Sequence, residues 1–269
     1  GADVGRALLV RAGMRETMGR VVADVLSAGD LLGHTTPGLA LAAPYLGELE
    51  KGSMTKAGEP TVVAKQPAKQ TWDGGRLPGP WLTLSALDAA MAMAPTQGTG
   101  TVVIRRSHHI ACLEAYLKRA TDRGMRALVY SSDPVAAGVA PFGAVSPVFT
   151  PKPLAAGIPT SGDTILIDVS ASYTTNSLTT RLHKAGGRLP HAWVQDARGT
   201  PTDDPRVLFE EPKGTLLPLG GLEAGHKGYA LALMIEAMTA ALAGFGRADA
   251  KEGWGATVFV QALDPRAFG

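Results

Sequence analysis

The chain has 269 residues, 45% hydrophobic and 19% charged, enough apolar material to bury a substantial core in one large or two small domains. Its 26 basic and 24 acidic side chains leave a net charge of +2 and form no blocks, which argues against a nucleic-acid or membrane-surface partner. A single cysteine, Cys112, excludes an internal disulfide and a CxxC-type zinc site and fits a reducing cytoplasm, the expected location.

No basic stretch followed by an apolar run and a small-residue cleavage site opens the sequence, so no signal peptide is expected. Met18, Val21, Val22, Val25 and Leu26 recur at helical spacing and predict a helix over 15–28 that ends near Gly29. A second helix is predicted over 39–51 and a short strand at 61–63. Proline and glycine cluster over 67–80, and 82–94 reads as a helix whose Met and Leu residues serve a core. A β-branched strand at 101–104, a helix over 111–123 and a strand at 127–130 follow. Prolines and glycines crowd 131–162, which predicts strands and loops wrapping a site, and 164–169 is the cleanest strand. The longest apolar run, 229–245, is interrupted by Glu236 and falls short of the roughly 20 apolar residues of a membrane span, so it reads as a buried helix. Interleaved helices and strands predict an α/β architecture. No GxGxxG follows a strand and opens a helix, which argues against a Rossmann domain.

The string LPLGGLEAGHKGYALALMIEAM, residues 217–238, sets a glycine-rich turn directly before an apolar helix. Gly220, Gly221 and Gly225 admit positive φ or close approach of a ligand, and the first helical turn, its dipole and Lys227 together favour an anion such as a cofactor phosphate. The plainer alternative is a closed loop with a solvated lysine.

This string resembles the GGxxGHKGYGLALMVE signature of the malate/L-lactate dehydrogenase family of NAD(P)-dependent oxidoreductases. Upstream, TVVIRRSHHIACLEAYLKRATDRG is similar to the family segment in which a strand ends at SxHFG. IDVSAS, AGGRLPHAWVQDARGTPTDDP, GTLLPLGG and VFVQALDPRAFG occur in the family's order, so the likeness covers about residues 20–269. It implies a non-Rossmann fold, a mixed, largely antiparallel sheet flanked by helices, with an N-terminal helical segment at 1–60 and a cofactor- and substrate-binding α/β domain at 61–269. Family members continue for several dozen residues past the last of these strands, so the chain is either short or lacks C-terminal helices. The resemblance further implies a homodimer, a small-molecule substrate and NADPH or NADH as cofactor.

By the same resemblance His109, at the histidine of SxHFG, is the expected proton donor, with a pKa near neutrality suited to that task. His108 fills the variable position, and Ser107 either contacts a cofactor phosphate or caps the following helix. Gly225, His226 and Lys227 are expected at the cofactor. His34 falls at a structural position, His191 in a variable loop, and Asp168 matches an aspartate that could serve only to hold a strand end. No histidine pair stands beside a carboxylate at helical spacing, so no metal is expected.

The family's GHDSHGxxR reads GHTTPGLAL here: Thr36 replaces its serine, Pro37 its second histidine and Leu41 its arginine. The arginine would clamp a 2-keto carboxylate through a bidentate pair that leucine has no means to form. The GTNP loop reads Thr150-Pro151-Lys152-Pro153, placing a new cation, Lys152, among the expected cofactor contacts, and Leu178 stands at a usually polar position. With Thr36, Pro37, Leu41 and Leu178 lining the substrate, the expectation is hydride transfer to a C=N or C=O bond of a larger, less anionic molecule of a specialised biosynthetic pathway. The alternative is a diverged member acting as a non-redox enzyme or binding protein.

Overall fold

The computed structural model describes residues 1–34, 36–250 and 253–269. Three helices open the chain: α1 (Ala2–Arg11), α2 (Glu16–Leu31) and α3 (Ala42–Glu50), the last preceded by a 3-10 turn at Leu39–Leu41. Met18, Val22, Val25 and Leu26 of α2 are all buried, the stripe that the helical spacing predicts. On α1 only Gly5 and Leu9 are buried, which leaves no apolar period to read, and the sequence gives no sign of that helix. β1 (Thr61–Gln66) contains the strand expected at 61–63, and β2 (Lys69–Asp73), inside the expected proline- and glycine-rich stretch, pairs with it as a hairpin.

After them come α4 (Gly79–Gln97), β3 (Thr99–Ser107), α5 (Glu114–Thr121), β4 (Arg126–Ser132), β5 (Pro153–Ile158) and β6 (Ile165–Ser170). The remaining elements are α6 (Asn176–Lys184), the two-residue strands β7 (Val194–Gln195), β8 (Pro201–Thr202) and β9 (Thr215–Leu216), α7 (Gly221–Glu236) and β10 (Ala256–Leu263). The chain divides into two compact units. One comprises Gly1–Val135, Leu154–Asp168 and Met238–Gly269, the other Ala136–Pro153 and Val169–Ala237, and the expected boundary after residue 60 falls inside the first.

In the first unit seven strands form one sheet in the order β1-β2-β3-β10-β4-β5-β6. β2 and β3 run parallel, joined by α4 as the crossover that a parallel pair requires. β10 lies antiparallel between β3 and β4, and β4 pairs antiparallel with β5, so the sheet is mixed and largely antiparallel, as the resemblance implies. Strand alternation divides its core in two. Val102, Ile104, Val258, Val260, Ala127 and Val129 pack into the main cluster with residues of α2, α4 and α5, whereas Val103, Phe259, Leu128 and Tyr130 meet Ala243 and Met238 on the opposite face.

The second unit carries the three-stranded sheet β8-β7-β9 with α6 and α7. Thr175 caps α6 by accepting the Leu178 N–H, at 3.2 Å. Ahead of α7 the backbone takes φ of +97° at Gly220 and +62° at Gly221, and Ala224 departs from helical geometry, so the regular helix begins at Gly225. Gly225 does not itself take positive φ. Its missing side chain serves close approach, since a Cβ there would lie 2.9 Å from Pro218 Cγ and 3.0 Å from Phe142 Cδ2. No helix among the described residues is long and apolar enough to cross a membrane.

Gly228 is the tightest constraint on α7, because a Cβ there would lie 2.4 Å from the Leu219 carbonyl oxygen and 2.5 Å from its nitrogen, both backbone atoms. Gly228→Ala is expected to destabilise by about 1–3 kcal/mol or more through overpacking. Gly47→Ala on α3, where a Cβ meets nothing within 4 Å, is expected to stabilise by about 0.5–1 kcal/mol through helix propensity. Paired thermal or urea unfolding checks the opposite signs.

Candidate active site

The turn that leaves β3 places two adjacent histidines in unlike surroundings. Ser107 is fully buried and its hydroxyl donates to the His108 carbonyl at 2.8 Å. It does not cap the next helix, which starts seven residues later at Glu114, so that alternative is set aside. His108 is buried as well, its Nδ1 accepting the His109 backbone N–H at 2.9 Å while Nε2 lies 3.2 Å from Glu48 Oε2. A backbone N–H only donates, so Nδ1 is the acceptor and Nε2 carries the hydrogen offered to Glu48.

A backbone N–H fixes the His109 ring in the same way. Its Nδ1 accepts the Ala111 backbone N–H at 3.3 Å and lies 2.9 Å from the Tyr45 hydroxyl, which also sits 3.1 Å from the His109 carbonyl. The hydrogen of the ring therefore resides on Nε2, which bonds to none of the described residues. Trp254 stacks on the ring with centroids 4.4 Å apart and an interplanar angle of 28°, and Tyr45 meets it edge-on at 6.1 Å. Ala111 takes φ of +58° at the position of the glycine in SxHFG. This left-handed turn costs an L-residue about 1–2 kcal/mol and aims its N–H back at Nδ1.

Burial pushes the His109 pKa down to about 3, with His108 lowering it further. Burial likewise takes His108 down to about 4, opposed by its hydrogen bond to Glu48. Burial raises the Glu48 carboxyl, but hydrogen bonds from Ser53 and His108 outweigh it and hold the group below its ordinary value. Burial also raises the Tyr45 hydroxyl far above its usual range, so it remains a donor. The group expected as an ordinary titrating acid is thus a neutral imidazole at physiological pH, locked as the Nε2–H tautomer. Tyr45, Glu48 and Trp254 gave no signal in the sequence, because a lone aromatic or acid, on a helix as the first two are or in a loop as Trp254 is, does not reveal what it meets.

Of the residues expected at the substrate, Thr36 and Pro37 are half-buried in the segment after α2, where Asp30 Oδ2 accepts the Leu39 N–H at 3.0 Å. Leu41 belongs to the main core cluster at 7% exposure. Leu178 lies in the first turn of α6, in the other unit. Lys152 does not face solvent. Only 2% exposed and at φ of +47°, it forms an ion pair with Glu236 of α7 and lies 5.9 Å from the Phe149 ring centroid. Its charge is balanced within the second unit.

His226 and Lys227 are exposed on the first regular turn of α7, with Gly225 buried beside them, and the His226 ring meets Phe142 edge-on at 5.6 Å. A cavity of about 240 Å³ adjoins this turn, lined by Phe142, Gln195, Arg198, Pro218, Gly221 and Leu222 among others. An exposed lysine at a helix start, next to a buried glycine whose Cβ would clash with its neighbours, suits the anionic part of a dinucleotide.

The malate/L-lactate dehydrogenase family model matches residues 2–269. L-sulfolactate dehydrogenase of Methanothermobacter thermautotrophicus is 29% identical over 245 residues, 90% of this chain and 69% of the relative. A Δ1-pyrroline-2-carboxylate/Δ1-piperideine-2-carboxylate reductase of Pseudomonas putida is 31% identical over 242 residues, 89% of this chain and 68% of the relative. The chain thus spans about two thirds of the length of these relatives. Among solved structures, malate dehydrogenase from Entamoeba histolytica superposes with a TM-score of 0.92 at 25% identity, covering 99% of this chain and 78% of that one.

Both histidines titrate near 6.5 when unfolded and well below that when folded, so under pH 6.5 the unfolded chain binds more protons and gains on the native state. Their contribution to stability is complete above pH 6.5 and is lost as pH falls toward 4. His109→Gln is expected to remove on the order of 2 kcal/mol of that fall between pH 6.5 and 4.5. Urea unfolding of both proteins across this window checks it, and equal slopes contradict it.

Proposed function

This chain belongs to the malate/L-lactate dehydrogenase family, and we propose that it is an NAD(P)H-dependent reductase acting on a C=N or C=O bond in a substrate larger and less anionic than a simple 2-keto acid. The names of its relatives cover both chemistries, a hydroxy acid dehydrogenase and a cyclic imine reductase. The proposal extends to NADPH or NADH as cofactor, a homodimer, the cytoplasm and a role in biosynthesis, each as the family resemblance implies.

The observation that carries the reading is the neutral, tautomer-locked His109 in its aromatic cage. A reduced nicotinamide, when bound, supplies the hydride. As charge develops on the substrate heteroatom, Nε2–H of His109 donates a hydrogen bond to it, the proton that completes the alcohol or amine comes from solvent, and because Tyr45 and Ala111 already hold the ring, little reorganisation is needed. Tyr45 and Trp254 act as positioning residues that fix the plane of the ring and exclude water from one face. In the second unit Gly225, His226 and Lys227 hold the anionic part of the cofactor, Lys227 by charge and the helix start by the positive end of its dipole.

The substrate class follows from what is missing. With proline at 37 and a core leucine at 41, a 2-keto carboxylate forfeits a charge-assisted hydrogen bond of roughly 1.5–3 kcal/mol, about one to two powers of ten in specificity.

Fluorescence titration with NADH and NADPH, followed by steady-state assays on cyclic imines and 2-keto acids, tests the reading. Lys227→Ala is expected to weaken binding of the reduced dinucleotide at low ionic strength, with the loss shrinking as salt rises because the exposed charge is screened. His109→Phe, which keeps the stacking surface and removes the donor, is expected to lower turnover by about 10²–10³-fold with binding retained. Negligible reduction of pyruvate and oxaloacetate is expected. Binding of neither reduced form overturns the proposal, and robust keto-acid reduction overturns its substrate class.

A further inference from the structure

The first unit brings together a second group of chemically active side chains that spacing along the sequence conceals. His34 follows α2, Cys112 lies in the loop between β3 and α5, and Asp168 stands near the end of β6. One donor atom from each lies within 4.8 Å of the others. Glu114, the first residue of α5, bonds His34 Nε2 through Oε2 at 2.6 Å, and its backbone N–H donates to Asp168 Oδ2 at 3.1 Å. Cys112 is 2% exposed, and its expected place within a helix is corrected by the start of α5 two residues later.

We propose that His34, Cys112 and Asp168 form a binding site for a thiophilic divalent metal ion of the zinc class, with Glu114 orienting the imidazole. The mixture of sulfur, nitrogen and oxygen donors is what such an ion takes, while magnesium and calcium call for oxygen alone. Bonds of about 2.0–2.3 Å set the donors of a tetrahedral ion roughly 3.3–3.7 Å apart, so small side-chain rotations close this cluster around one ion. Three protein ligands leave a fourth position for water. On binding, the Cys112 S–H bond breaks, the sulfur–metal bond forms and the proton passes to solvent. Asp168 retains one oxygen for the Glu114 N–H, and the carboxylate on His34 supplies the outer hydrogen bond that fixes a ligating imidazole. Because the ligands come from three distant stretches of chain, the ion ties the end of α2, the start of α5 and the end of β6 together, and its binding stabilises the fold.

The single cysteine makes the test specific. The full chain, stripped with a chelator, is titrated with Co²⁺ while thiolate-to-cobalt charge-transfer absorption in the near ultraviolet is recorded, together with the melting temperature. The expected result is a band saturating at one ion per chain with a rise in melting temperature. Cys112→Ser abolishes both, and Asp168→Asn, which retains an oxygen for the Glu114 N–H, weakens binding by at least tenfold. Glu114→Gln is expected to weaken it about 10–100-fold. Absence of the band in the unaltered chain, or a rise in melting temperature that persists in Cys112→Ser, overturns the site. If Cys112→Ser does not fold, alkylation of Cys112 in the unaltered chain decides: slowing by Zn²⁺ supports the site, and an unchanged rate overturns it.

Discussion

The insertion of β10 between β3 and β4 is the constraint on which the first unit depends. A strand from the end of the described chain supplies both neighbours with their hydrogen-bonding partner and contributes Val258 and Val260 to one face of the sheet and Phe259 to the other. It also carries Trp254, two residues before its start, onto the ring of His109 at the end of β3. About 145 residues separate the two rings along the chain, and the sheet register makes them stack. Without that pairing β3 would be an open edge and the histidine would lose one wall.

The cage shows how much chemistry a few backbone groups decide. The N–H groups of His109 and Ala111 each point at an imidazole Nδ1, and both rings are thereby fixed as Nε2–H tautomers before any side-chain partner is considered. His108 then leans on Glu48, which makes it a support for its neighbour, while Nε2 of His109 remains available. Two adjacent histidines thus differ through their surroundings: His108 has both ring nitrogens hydrogen-bonded, whereas His109 keeps Nε2 open, as its proposed role requires.

Much of this was legible in the sequence and some was not. Helical spacing located α2, since burial on one side imposes a period, and short β-branched or apolar runs located parts of β3, β4 and β6. α1 escaped because few of its residues are buried, and β2, unlike the start of β1, because it lies in a stretch dominated by proline and glycine turn signals. His109, His226 and Lys227 could be singled out from local strings. Tyr45 and Trp254 could not, since their contribution arises only when α3 and the start of β10 meet the end of β3. The cluster of His34, Cys112 and Asp168 was hidden for the same reason. Lys152 looked like a loop cation, yet Glu236, noticed only as an interruption of an apolar run, balances it in the interior.

The central claim is that His109 is held neutral with its proton on Nε2. Nitrogen chemical shifts of the histidine side chains, recorded by long-range ¹H–¹⁵N correlation on ¹⁵N-histidine-labelled protein and assigned with His109→Gln, measure this directly. A neutral Nε2–H ring for His109 at every pH between 7.5 and 5 is the predicted result. A ring that becomes an imidazolium near pH 6.5, or one that carries its proton on Nδ1, would contradict the account.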